Sequence, residues 1–455
     1  MNKIHIIIGL LVIACSISCK KYLDAKPDKS LLLPSTIEGL QAVLDYQVFM
    51  NNADASWDEA SADNYYLPQQ TYNTLLDMQK KAYLWENSDY TYQSGNDWGR
   101  LYDAVYFCNL ALENIETIKR NELNQTQWDN VKGSALFFRA QTFLHTAWIF
   151  SKAYDESTAS EDYGIVLRTV SDFNAISVRA TLLDTYDKII SDFKNAAALL
   201  PSIPQSATRP SKPAAYAYLA RTYLSMRKYD SALKYSNLSL QLKNDLMDYN
   251  DPAVVNISSA TRPFKQLNPE VVFQKIISGY SFSNIYPSIE RVDTVLFNSF
   301  DEYDLRKAAF FAKATPGFTF KGTYNGNRTS LFTGVAADEV FLTRAECEAR
   351  LNNKDAALNN LNALMEKRWK AGFFVPFEAA TAEDALNLIL KERRKELIFR
   401  GLRWMDIKRL NKEGANITLT RIMDGKLYSL PPNDNRYALP LPLDIISSKV
   451  PQNEY

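Results

Sequence analysis

Only two histidines occur in the 455 residues, His5 near the amino terminus and His145 in a helical pattern. Any histidine base or multi-histidine metal site would have to be built on His145 alone, and that residue reads as a core or helix-surface histidine. Cysteine is as scarce. Of four, Cys15 and Cys19 lie near the amino terminus, which leaves Cys108 and Cys347 inside helical patterns. A stapled secreted framework needs many more, so both read as buried thiols, although the sequence does not exclude their pairing. Charge of either sign is not in excess, with 52 basic against 52 acidic residues, which argues against nucleic acid or another polyanion as the main partner. After the first residues no apolar run approaches the ~20 residues of a spanning helix. The scattered Asp and Asn of the loops are of the kind that holds calcium but match no fixed-spacing calcium loop, so no metal-ligand set is named and no cofactor is expected.

The first residues follow a different plan. Lys3 precedes an aliphatic run, Ile4 to Ala14, and then small residues surround two cysteines in "ACSISCKKYLDAKPDKS". Charged, apolar and small segments in that order form a secretory signal. Ser18 before Cys19 suits a lipoprotein peptidase, and the polar chain starts directly after it; Cys15 is the rival acceptor. Residues 1–18 are therefore expected to be a signal peptide, Cys19 the lipidated first residue, and 19–35 a tether. Each buried acyl methylene contributes ~0.8 kcal/mol, so such a chain is held at a membrane surface.

Further along, helical spacing dominates. "TIEGLQAVLDYQVF" is a capped helix; "WGRLYDAVYFCNLALENIETI" (98–118) and "WDNVKGSALFFRAQTFLHTAWIFSKAY" (128–154) read as two long amphipathic helices. A loop of about 25 residues and the helix "LLDTYDKIISDFKNAAALL" follow. After the proline-rich connector 201–214, Leu219, Ala220, Tyr223 and Ala232 stand at the marks of a tetratricopeptide helix pair, and Phe341, Ala345, Ala357 and Leu361 repeat them. Two other stretches break the pattern. Residues 57–98 are polar, aromatic and weakly periodic and read as loops carrying rings, and 251–335 reads as short strands and long loops. The fold class is mainly α: a tetratricopeptide-like repeat layer with a loop-rich, partly β insertion packed against it.

The most specific stretch is "LILKERRKELIFRGLRWMDIKRL" (388–410), followed by "YALPLPLDIISSKVPQNEY". With "SCKKYLDAKPDKS", "WGRLYDAVYFCNLALENI" and the two repeat pairs, it resembles the SusD/RagB family of surface nutrient-binding lipoproteins over essentially the whole chain. The matching positions are Glu392, Arg393, Arg394, Glu396, Gly401, Trp404, Asp406 and Arg409. Arg400 stands where the family usually has glutamate, and "GIVL" (164–167) lacks the family's proline, so local ion pairing is expected to differ. By charge spacing alone, "KERRKEL" stacks Glu392 on Glu396 and Lys391 on Lys395, so each charge needs a partner from elsewhere. Structural ion pairing is favoured there over a catalytic glutamate.

The resemblance implies a SusD-like domain over 36–455, with repeat pairs at about 98–154, 182–242 and 338–370, a loop-rich ligand side at about 50–97 and 245–335, and a carboxy-terminal helix and tail at 383–455. It implies a lipid-anchored protein of the outer membrane's outer face, a hinged lid that captures an oligosaccharide, or in some members a peptide, and delivers it to a TonB-dependent SusC-like transporter without catalysis. A sugar face is held by flat rings and its edges by amides and hydroxyls. The loop aromatics Trp57, Tyr65, Tyr66, Tyr72, Trp85, Tyr90 and Tyr92, with Tyr280, Phe282 and Tyr286, are therefore the candidate ligand contacts. Two other readings stay open: a carboxylate-dependent glycosidase, which needs a pair of acids across a cleft, and a scaffold lipoprotein, which would not need those rings.

Overall fold

The computed structural model describes residues 34–87, 96–277 and 289–455. Its frame is a series of helices: α1 (Ile37–Leu44), α2 (Trp57–Ser61), α3 (Asp97–Ile115), α4 (Gln125–Phe150), α5 (Leu182–Leu199), α6 (Lys212–Ser225), α7 (Tyr229–Leu242), α8 (Ala337–Arg350), α9 (Lys354–Glu366), α10 (Ala382–Glu396) and α11 (Arg403–Asn411). From α3 to α9 each long helix lies against its successor, and α10 closes the layer on α8. Starts are set by side-chain caps: Asn96, Thr181, Ser211 and Thr381 each accept a hydrogen bond from a backbone N–H of the first turn.

The two repeat pairs have matching turns. Arg227 between α6 and α7, and Asn352 between α8 and α9, adopt φ of 62° and 64°, so each hairpin reverses through one left-handed residue. Leu219, Ala220, Ala232, Ala345, Ala357 and Leu361 are all buried, the small ones permitting close helix approach. Tyr223 and Phe341 are half-buried at the margin. Arg221 of α6 binds both carboxylate oxygens of Glu339 in α8, at 2.7 and 2.6 Å, tying one pair to the next.

α4 departs from the amphipathic expectation. Every residue from Gly133 to Phe150 is buried, because α3 and α5 cover its flanks and α1 and α2 further faces. Its polar residues then require partners. Arg139 makes two bonds to Asp192 of α5 and one to Asn109 of α3; His145 lies between Asp54 and Asp58. At the carboxyl end of α4, buried Lys408 donates to the carbonyls of Trp148 and Ser151, both at 2.6 Å, a cation at the negative pole of the helix.

The region 57–87 is also different from the expected loops. It contains three short helices, α2 and the unlabelled turns Gln69–Asn73 and Asp77–Tyr83. Five to seven residues are too few for a visible 3.6-residue period. The insertion is built as expected, from two- and three-residue antiparallel pairings such as Tyr65–Tyr66 with Arg291–Val292 and Phe311–Lys313 with Phe318–Phe320. A longer hairpin, Leu419–Met423 with Lys426–Leu430, turns through Asp424 and Gly425, both at positive φ.

The charged helix α10 fastens the repeats to the insertion. Buried Arg306 binds Asp304, Glu392 and Glu396, and Arg368 binds Glu396 and Glu270. Arg393 reaches Asp406 at 2.9 Å, and Arg409 bridges Asp406 to Glu346. Arg400 pairs with Asp338 at 3.3 Å. The stacked acids Glu392 and Glu396 thus find cations on other elements, while Lys395 pairs with Glu392 within the helix. Gly401, at φ 67°, lets the chain reverse into α11 while its N–H donates to Glu59. Cys108 and Cys347 are free and buried.

Candidate functional site

A cleft of about 580 Å³ opens along one face of α3, within the size range of small-molecule sites. Trp98, Tyr102 and Tyr106 recur every four residues, which places them in a row on that face. Trp98 stacks on Tyr102 with centroids 4.6 Å apart. Beyond them Tyr106 stacks on Phe173 at 4.7 Å, and Phe107 continues to Phe49 at 5.0 Å and on to Tyr46 at 5.4 Å. Tyr106 and Phe107 are themselves in edge contact at 5.3 Å. The result is a run of rings reaching from buried Trp98 to Phe173, whose side is 76% exposed.

The opposite wall is the segment after strand Tyr163–Val166, and Arg168 organises it. Its guanidinium makes four hydrogen bonds, to the carbonyls of Asp172, Phe173 and Ala175 and to the Ser177 hydroxyl. Asn109 of α3 donates to the carbonyls of Arg168 and Val170. Glu113 accepts from the backbone N–H and the hydroxyl of Ser171. Tyr102 fixes the wall's start by donating to the Val166 carbonyl at 2.8 Å. Phe173 is therefore exposed yet held in place. Ile445 and Val450 of the tail complete the lining. Asp103 also lines the cleft, and burial raises its carboxyl pKa while Arg100 acts the other way.

Among the rings expected to contact ligand, Trp57, Tyr65, Tyr72 and Trp85 are all buried. The short helices fold them beneath the 419–430 hairpin, where Arg421 lies over the rings of Tyr65, Tyr83 and Trp85. Trp85 donates to the Ser61 carbonyl and Tyr65 to that of Ala60, so their polar ends are used internally. Tyr66 is half-buried on the short strand beside Arg291, away from the cleft's lining. Tyr90, Tyr92, Tyr280, Phe282 and Tyr286, and the lipidation candidate Cys19, lie outside the described residues. The cleft rings were overlooked because a row spaced by four on a long helix reads as a packing face; the partner that opens it, Phe173, is remote in sequence. Among the described residues no three His, Cys, Asp or Glu side chains converge to hold a metal ion.

Two family models match the chain. One, described as starch-binding associating with outer membrane, spans residues 21–224; the other, the SusD family, spans 337–447. The chain belongs to the SusD/RagB family. A SusD-like relative, protein P2 of Formosa agariphila, is 24% identical over 373 residues, covering 69% of this chain and 71% of that one. A SusD superfamily structure from Bacteroides thetaiotaomicron superposes with a TM-score of 0.72 at 18% identity, covering 92% of this chain and all of that one. Another, described as a SusD-like carbohydrate binding protein from Bacteroides vulgatus, gives 0.65 at 19% identity, covering 89% of this chain and 94% of the other. The helical layer with its loop-rich insertion is thus the SusD fold. No helix among the described residues is long and apolar enough to cross a membrane.

Proposed function

We propose that this SusD/RagB protein captures oligosaccharides at the outer surface of the outer membrane and delivers them to a TonB-dependent SusC-like transporter. The observation that carries the binding half is the ring-lined cleft from Trp98 to Phe173: flat apolar faces, hydroxyls and a carboxylate on one fixed surface are what a pyranose requires. The family model's own description, starch-binding, agrees with that chemistry. Peptide remains the alternative ligand, since aromatic clefts also take apolar side chains.

Capture without chemistry fits the acids better than glycoside hydrolysis does. Hydrolysis needs two carboxyl groups facing one bond, whereas Asp103 is the one carboxylate among the cleft's described lining residues. Glu392 and Glu396, the acids of the family stretch, are saturated by Arg306 and Arg368. Delivery and anchoring rest on the family and on the expected leader 1–18 followed by Cys19, which would tether the domain through the segment before α1.

The test is retention of the soluble form, starting at Lys20, on immobilised glycans and peptides, with the eluted ligand examined by mass spectrometry. Intact glycan is expected; recovered fragments would make it an enzyme, and retention on peptides alone would replace the glycan. Fractionation and radiolabelled palmitate with and without Cys19→Ala check the anchor, and copurification of a barrel protein checks the partner.

A further inference from the structure

Two charged side chains line the cleft, Asp103 and Arg168. They are not equivalent. Arg168 spends four of its N–H groups on the loop that carries Phe173, so its charge is turned into the wall. Asp103 has no hydrogen bond or ion pair among the described residues, and Arg100, three positions earlier on α3, acts on it only at longer range. It is half-buried among rings. Of the neighbouring charges, Glu113 is engaged by Ser171 and Asp172 by Asn174. Lys449, between lining residues of the tail, is exposed, where solvent screens it.

An ionised carboxylate only accepts hydrogen bonds. When a ligand covers it and removes its water, the lost hydration must be replaced by donors, which sugar hydroxyls and ammonium groups supply and a uronate or sulfate does not. A second anion beside it also meets like-charge repulsion, strengthened by the apolar rings around it.

We infer that Asp103 is the specificity residue of this cleft, admitting neutral and amine-bearing sugars and rejecting glycans that place a carboxylate or sulfate against it. This rests on the cleft being the glycan site. Phe173 and Tyr106 then supply stacking energy that any sugar can use, and Asp103 supplies the discrimination.

The experiment compares chemically matched pairs by calorimetry on the soluble form at neutral pH and low salt: β-1,4-mannan against β-1,4-mannuronan oligomers, α-1,4-galactan against α-1,4-galacturonan, and cello-oligomers against glucosamine oligomers. For the pairs of which one member binds, the uronate is expected to bind ~10-fold more weakly or worse, with the gap shrinking as salt is raised. Asp103→Asn preserves size and adds a donor, and is expected to narrow the gap to about twofold while the neutral sugar still binds. Equal affinities in the wild-type protein, or an unchanged ratio in Asp103→Asn, overturn the assignment of Asp103 while leaving the glycan site standing. Failure of every member of every pair to bind a folded protein overturns the glycan reading itself, and this inference with it.

Discussion

Oδ1 of Asp54 lies 2.6 Å from Nδ1 of His145. With Asp58 at 2.7 Å from Nε2, both ring nitrogens face carboxylates, the arrangement of a doubly donating imidazolium. His145 is thus a buried pin between α4 and both α2 and the segment leading into it. Burial alone would lower its pKa, and the two carboxylates overcome this and raise it to about 10.

That shift fixes the sign of a pH effect. A histidine whose folded pKa exceeds its ordinary 6.5 contributes stability that is complete below 6.5 and is lost as pH rises through about 10. The stability advantage of wild type over His145→Gln, measured by urea unfolding across that window, is expected to be largest at its acid end and to shrink steadily toward its alkaline end. An advantage independent of pH would mean that the ring is held neutral.

The network around Arg306 gives a larger effect. Its guanidinium is shared by Asp304, Glu392 and Glu396, with all four side chains almost or wholly buried. Removing the cation leaves buried Asp304 without its ion pair and takes one of two cations from Glu392, which keeps Lys395, and from Glu396, which keeps Arg368. Arg306→Met is expected to cost about 3–5 kcal/mol in chemical denaturation, the range for breaking a buried pair. Because the network joins α10 to the insertion, protease cleavage in 289–335 is expected to accelerate in the same variant. Unchanged stability would show that the acids find water or take up protons without penalty.

How far the residues alone revealed this architecture depended on helix length and on what covered each helix. α6 to α9 could be read because small and large residues recur at fixed positions in both hairpins, and close packing admits few substitutes there. α4 reads as a helix but not as the central one, since its polar residues Arg139 and His145 mimic a solvent face and are instead paired internally. The rings of 57–87 misled for the reverse reason: a Trp in a polar, weakly periodic stretch resembles a surface ring until Arg421 and the hairpin cover it. The cleft itself depends on Tyr106 meeting Phe173, a contact made by tertiary folding and by the hydrogen bonds of Arg168, for which no local pattern exists.

The thiols of Cys108 and Cys347 are expected to be silent in the native state. Burial pushes the Cys108 thiol up to about 12 and that of Cys347 upward as well, and the thiolate is the reactive form. A thiol reagent at neutral pH should leave the soluble form unmodified and label both residues once it is unfolded. Rapid native labelling of either would show that its helix pair opens.

Phe173 and Trp85 separate binding from folding. Phe173 is largely exposed and stacked on Tyr106 from one side, so Phe173→Ala removes a ligand-facing ring and little core; stability should stay within about 0.5 kcal/mol. Trp85 is fully buried, with its indole N–H committed to Ser61, so Trp85→Ala should cost about 3–5 kcal/mol. Their effects on glycan retention are expected to run the other way, with Phe173→Ala losing most of it and Trp85→Ala, assayed below its unfolding transition, keeping it. Arg168→Met extends the comparison, because it leaves every cleft ring in the chain but releases the loop that holds Phe173; it should weaken retention nearly as much as deleting the ring. If instead Trp85→Ala abolished retention in a folded sample and Phe173→Ala did not, the ligand face would lie with the rings of 57–87, and the cleft along α3 would be a surface of some other purpose.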